Sequence, residues 1–228
     1  MVSGADGRHI ARSLRMQPGE ELILCDCIGK DYRGEIERID GDAVHVRILE
    51  CCKSASEPTV QVTLYQGLPK ADKFDTVVQK AVELGVTRIV PMMTSRCVSR
   101  PDEKSARKKQ ERWQKIAEEA AKQSGRGIIP KVSAVTPYRQ AVSEAVEDDA
   151  ELILFYEGGG KSLSSLVGRG TQKLSVMIGP EGGFSREEVD LAEKAGGHPG
   201  TLGPRILRTE TAPVAALAAI MLATGNLE

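Results

Sequence analysis

The chain has 228 residues, 40% hydrophobic and 28% charged, with a formal net charge of -1 at neutral pH. This is globular composition, which excludes a disordered or fibrous chain, and the length suits one large domain or two modest ones. No apolar run approaches a membrane span and the first residues (MVSGADGRHI) lack the apolar core of a signal peptide, so a cytoplasmic protein is expected.

A net charge near zero says nothing for or against nucleic acid, because local patches decide that. The five cysteines, Cys25, Cys27, Cys51, Cys52 and Cys97, are odd in number and read as reduced thiols. Their spacing is not that of a zinc site, and His9, His45 and His198 are scattered, so no metal is expected.

Residues 1–16 carry a short helical pattern, with Ile10, Leu14 and Met16 on one face and Arg8, Arg12 and Arg15 on the other. Alternating runs follow at residues 21–26, 31–39 and 43–49, punctuated by Pro18-Gly19, Gly29 and Asp40-Gly41-Asp42. That rhythm predicts small antiparallel hairpins. A linker-like stretch at residues 53–58 then divides a β-rich domain, residues 1–56, from a second domain, residues 57–228.

From residue 59 the pattern changes to strand alternating with helix. Strands are predicted at residues 60–65, 86–92 (closed by Pro91), 128–135 and 152–156. Helices are predicted at residues 72–84, 105–123 and 137–146, the first two stopped by Gly85 and Gly125. Such alternation implies βαβ units and a mainly parallel sheet.

The long helix at residues 105–123 bears a polar stripe. Arg112, Glu119, Gln123 and Arg126 are spaced by seven, four and three, and share a face if the helix continues through its end. Upstream lie Arg96, Arg100, Lys104, Arg107, Lys108 and Lys109, a basic cluster suited to phosphates. A solvated surface is the plainer reading of both features.

Residues 174–224 hold the pattern on which the chain is organised. An apolar run at 174–178 ends in Gly179-Pro180-Glu181-Gly182-Gly183; a helix and a short extended piece lead to Leu202-Gly203-Pro204-Arg205-Ile206-Leu207-Arg208. In an open α/β sheet, ligands bind outside the carboxyl ends of strands. The first loop is neither a P-loop nor GxGxxG, and Glu181 would repel a polyphosphate. A neutral or cationic ligand matches it better. Glycines let the backbone approach a flat base closely, and Pro180 and Pro204 stiffen both loops. The alternative is two tight turns that serve only the fold.

Ser185 and Glu188 form a capping box and are assigned no chemistry. Thr209-Glu210-Thr211 reads first as a helix cap, with Arg205 and Arg208 beside it for an anionic partner. The final helix is apolar nearly all round, through Val214, Leu217, Ala218, Met221 and Leu222, which suits a dimer interface or a buried core helix.

Ile178-Gly179-Pro180-Glu181-Gly182-Gly183-Phe184-Ser185 and Leu202-Gly203-Pro204-Arg205-Ile206-Leu207-Arg208-Thr209-Glu210-Thr211-Ala212 resemble the RsmE family of ribosomal RNA methyltransferases in the SPOUT superfamily. The stretches at residues 9–16, 80–86 and 112–124 are similar to the same family, so the resemblance covers nearly the whole chain. Family members begin with a further Arg-Phe-Phe-like strand before the His9-Ile10 helix, so the first domain is expected to lack its first strand.

The resemblance implies a PUA-like β-barrel that helps hold RNA, then an α/β sheet ending in a deep trefoil knot. It implies S-adenosylmethionine bound in the knot loops and a homodimer formed through the knot; with no apolar run of spanning length, no membrane partner is expected. The implied reaction is methylation of N3 of one uridine in 16S rRNA, on the RNA or the small ribosomal subunit. A non-catalytic RNA-binding or ribosome-assembly protein, or a relative acting on transfer RNA, are the competing readings.

On this view the cofactor is held by Ile178, Gly179, Pro180, Gly182 and Gly183, by Leu202, Gly203, Arg205, Ile206, Leu207 and Thr209, and by Tyr156 and Glu157 at a neighbouring strand end. Arg208 would stabilise the uracil anion, and Glu210 and Glu181 are unranked candidate bases. Arg12, Arg15, Arg96, Arg112, Gln123 and Arg126 are the candidate RNA contacts.

Overall fold

The computed structural model describes residues 1–148 and 150–228 and divides into two compact units. The first comprises Met1–Glu57 together with Arg126–Ile128, and the second comprises Pro58–Gly125 and Ile129–Glu228.

The first unit opens with α1 (Gly4–Arg8), which runs into a π-helical turn at His9–Ser13. The wider turn breaks the expected single face: Ile10 is buried but Leu14 is 57% exposed. Strands β1 (Glu21–Cys25), β2 (Lys30–Asp40) and β3 (Ala43–Lys53) form an antiparallel sheet in that order. Their alternation places Ile36 and Val44 on one face, where they pack with Ile10. The turn between β2 and β3 uses Gly41 at φ +64, a conformation that suits glycine.

The second unit begins with β4 (Gln61–Gly67), α2 (Lys73–Glu83), β5 (Arg88–Met93) and α3 (Glu103–Gln123). Asp102 caps α3 by accepting from the Ser105 amide at 2.7 Å. Next come β6 (Lys131–Val132), β7 (Thr136–Pro137), α4 (Tyr138–Glu147), β8 (Glu151–Phe155), β9 (Lys161–Ser162) and α5 (Leu163–Leu166). The chain closes with β10 (Lys173–Ile178), α6 (Arg186–Lys194), β11 (His198–Thr201) and α7 (Ala212–Ala223).

Eight strands form one sheet in the order β6-β5-β4-β10-β8-β11-β9, with β7 also on β5, and every neighbouring pair is parallel. Side chains alternate between two cores. Val62, Leu64, Ile153, Leu174 and Val176 face α2, α3 and α7, while Tyr65, Leu152, Leu154 and Met177 face α4 and α6.

Three expectations change in detail. The strand predicted at 128–135 is two short pieces, β6 and β7. Pro91 lies inside β5 rather than closing it, at the gap between those pieces, where its missing N–H costs no ladder bond. The stripe on α3 also stops short. The helix ends at Gln123, Gly125 turns the chain at φ +67, and Arg126 leaves the helical face.

Arg126 instead enters the first unit's interior. Its Nε and Nη2 donate to Glu57 Oε1 and Oε2 at 2.9 and 2.8 Å, and its side chain is 3% exposed. Glu57 also accepts from the Ile128 amide at 3.0 Å. Among the described residues no helix is long and apolar enough to cross a membrane.

Candidate functional site

Register decides where the loops of the second unit meet. Ile178 of β10 stands beside Gln66 of β4 on one side and Phe155 of β8 on the other, and Phe155 stands beside Gly200 of β11. Four parallel strands therefore end at one level. A cleft of about 850 Å³ opens above β8, β10 and β11, within the range of small-molecule sites.

The two glycine-containing loops face each other across that cleft. Ile178, Gly179, Pro180, Glu181 and Gly183 line one wall, and Leu202, Gly203, Arg205, Ile206, Leu207, Arg208 and Thr209 line the other. Tyr156 and Glu157 line it from the end of β8.

Gly182 and Glu210 stand outside the lining. The Gly182 carbonyl is turned away to accept from Arg96 Nη1 at 2.7 Å, and Glu210 is drawn to Lys73. Sequence reading missed Lys73, Gly158, Gly159, Thr201 and Ala212. The run Gly158-Gly159-Gly160 was a usable signal for the third loop, whereas nothing local marks Lys73.

The floor of the cleft is pinned by buried polar groups. Gln66 Nε2 donates to the Gly67 carbonyl (3.1 Å), the Gly179 carbonyl (3.3 Å) and Thr209 Oγ1 (3.1 Å). Thr209 Oγ1 donates to the Gly179 carbonyl at 2.9 Å. Thr209 thus holds one loop to the other. The approach is close: a Cβ on Gly67 would lie 2.6 Å from Pro180 Cδ. Gly183 sits at φ +64, where a Cβ would also meet the Glu157 carboxylate at 2.6 Å.

The rim carries charge. Lys73 Nζ stands 3.2 Å from Glu181 Oε1 and 3.2 Å from Glu210 Oε2. Glu181 also accepts from the Lys70 amide at 3.1 and 3.3 Å. Burial alone would raise the Glu181 carboxyl, but nearby backbone amides, Lys70's among them, and the Lys73 ammonium outweigh it and hold it below the ordinary range. Glu210 is also held low, first by its own backbone amide and then, against burial, by Lys73 and Arg208. Lys73 is raised, by Glu210 first and then Glu181. Carboxylates held this way stay charged at neutral pH and accept protons poorly.

The remaining candidates are dispersed. Arg12 pairs with Asp42 at 2.9 Å, and Arg15 is exposed at φ +54, both in the first unit. Arg112 is held by Asp72 at 3.4 Å and by Asp75, and borders with Gln123 a second hollow between α2 and α3. Arg96 backs the glycine loop, 4.0 Å from Glu157. Arg126 is buried against Glu57.

Two family models match the chain. One, described as an RNA methyltransferase domain, covers residues 55–221, and another, an RNA methyltransferase PUA domain, covers residues 2–49. A ribosomal RNA small subunit methyltransferase E of Bacillus subtilis is 36% identical over 98% of this chain and 90% of its own length.

A crystal structure of the protein of that name from Neisseria gonorrhoeae, bound to S-adenosyl methionine, superposes with a TM-score of 0.82 at 35% identity, over 97% of this chain and 90% of that one. A putative methyltransferase of Legionella pneumophila, in complex with the same cofactor, gives 0.80 at 36% identity over the same shares.

Proposed function

The chain belongs to the family of ribosomal RNA small subunit methyltransferase E, and we propose that it transfers a methyl group from S-adenosylmethionine to N3 of one uridine in 16S rRNA. The observation that carries this reading is the single cleft shared by the two glycine-containing loops at the carboxyl ends of β8, β10 and β11.

The residues present suit S-adenosylmethionine. Backbone groups at Ile178–Glu181, at Gly183 and at Leu202–Leu207 offer donors and acceptors to a base and a ribose, while Ile178, Leu202, Ile206 and Leu207 supply apolar contact. Glu157 and Glu181 border the cleft, and carboxylates are compatible with a cationic sulfonium and not with a polyphosphate. Bound there, the cofactor would supply an electrophilic methyl group held in line for transfer.

The protein's part is placement and charge. Arg208 is exposed on the cleft wall, where its guanidinium would stabilise negative charge on the uracil oxygens as N3 gives up its proton to solvent water. Glu181 and Glu210 were the candidate bases. Their lowered pKa values favour the electrostatic route through Arg208 over abstraction by a carboxylate.

The first unit would be a PUA-like barrel for RNA, with Arg12 and Arg15 on it. The loops around Gly179 and Gly203 would be the crossings of a SPOUT-type trefoil knot, a rare exception to ordinary topology. The partly exposed apolar side of α7, including Leu222, would meet a second copy in a homodimer.

The test is methyl transfer to isolated small ribosomal subunits, followed by nuclease digestion and mass spectrometry. One 3-methyluridine in 16S rRNA is expected. A methyl group on another base, in another RNA, or none at all would overturn the assignment.

A further inference from the structure

Lys73 is the first residue of α2, and its ammonium bridges Glu181, in the loop after β10, and Glu210, in the turn that leads into α7. The two carboxylates lie on the two loops that form the cleft. A side chain from a third element therefore joins both loops at the rim, as Gln66 joins Gly179 and Thr209 at the floor. We propose that Lys73 is a positioning residue: it clamps the two loops in the spacing that admits the cofactor, and it does so before any ligand arrives.

Several features separate this from an ordinary surface ion pair, which contributes little. One ammonium serves two carboxylates that would otherwise repel each other. Its own partners are fixed, since Glu181 is also held by the Lys70 amide through both oxygens. Lys73 itself lines the cleft and is about one-third exposed, so it stands at the opening. The trio carries one net negative charge, and Arg208 is the other cation acting on Glu210. Preorganisation of this kind lowers the ordering cost of binding.

The inference rests on the reading of the cleft as a cofactor site, so the test has a part without cofactor. Lys73→Met and Lys73→Arg are compared with the unaltered protein by hydrogen exchange in the absence of ligand. The buried floor contacts stay in place, so both variants are expected to fold. In Lys73→Met, exchange should quicken in residues 179–183 and in residues 208–212 together, and Lys73→Arg should restore most of the protection. Calorimetry with S-adenosylmethionine should then show binding weakened by about tenfold or more in Lys73→Met. That binding should also become pH-dependent across the ordinary carboxylate range, because Glu181 and Glu210 have lost the cation between them.

Unchanged exchange, or a change in one segment alone, would overturn the clamp. So would normal cofactor binding with lost methyl transfer, which would make Lys73 a substrate contact instead. Quickened exchange in both segments with no cofactor binding by the unaltered protein would support the clamp and sink the cofactor assignment.

Discussion

Arg208 and Glu181 both attract attention in the bare sequence, but the structure gives them different surroundings. Arg208 stands exposed on the cleft wall, while Glu181 is tied to Lys73 and to the Lys70 amide. Arg208→Ala should lower kcat by about a hundredfold or more, as expected for loss of a donor to a developing anion. Calorimetry should show S-adenosylmethionine binding retained, since the backbone, not this side chain, would hold the cofactor. Unchanged turnover would remove Arg208 from the mechanism. Lys73 was not legible in advance: it occupies an ordinary helix start, and its two partners lie more than a hundred residues downstream. A tertiary contact of that kind leaves no periodic trace.

Elements with a strong period were legible. Phe74, Val77, Val78 and Ala81 recur at helical spacing and are all buried on α2, and Trp113, Ala117, Ala120 and Ala121 do the same on α3. Short pieces were not. Two-residue strands such as β6, β7 and β9 are too brief to show alternation. The end of α3 illustrates the limit, because charge spacing carried the stripe on to Arg126 while Gly125 ended the helix. Arg126 then becomes a buried partner of Glu57. Glu57→Ala removes the bidentate carboxylate from that buried guanidinium and should destabilise the protein by about 3 kcal/mol. Denaturant unfolding measures this, and a shift below about 0.5 kcal/mol, typical of an exposed pair, would contradict it.

At the scale of the molecule, the change from hairpin rhythm to strand-helix alternation near residue 58 reflects two different ways of burying a sheet. The first unit keeps one face of an antiparallel sheet on a small core, and the second covers a parallel sheet on both faces. The return of Arg126–Ile128 to the first unit was invisible, because three residues carry no pattern.

The meeting of the two glycine-containing loops was foreseeable only as a general property of parallel sheets, whose strand ends collect ligands. Hydrogen exchange with increasing S-adenosylmethionine tests that meeting directly. Residues 178–183 and 202–209 should gain protection together, along one binding curve. Protection of one loop alone, or of neither at saturating cofactor, would contradict a shared cleft.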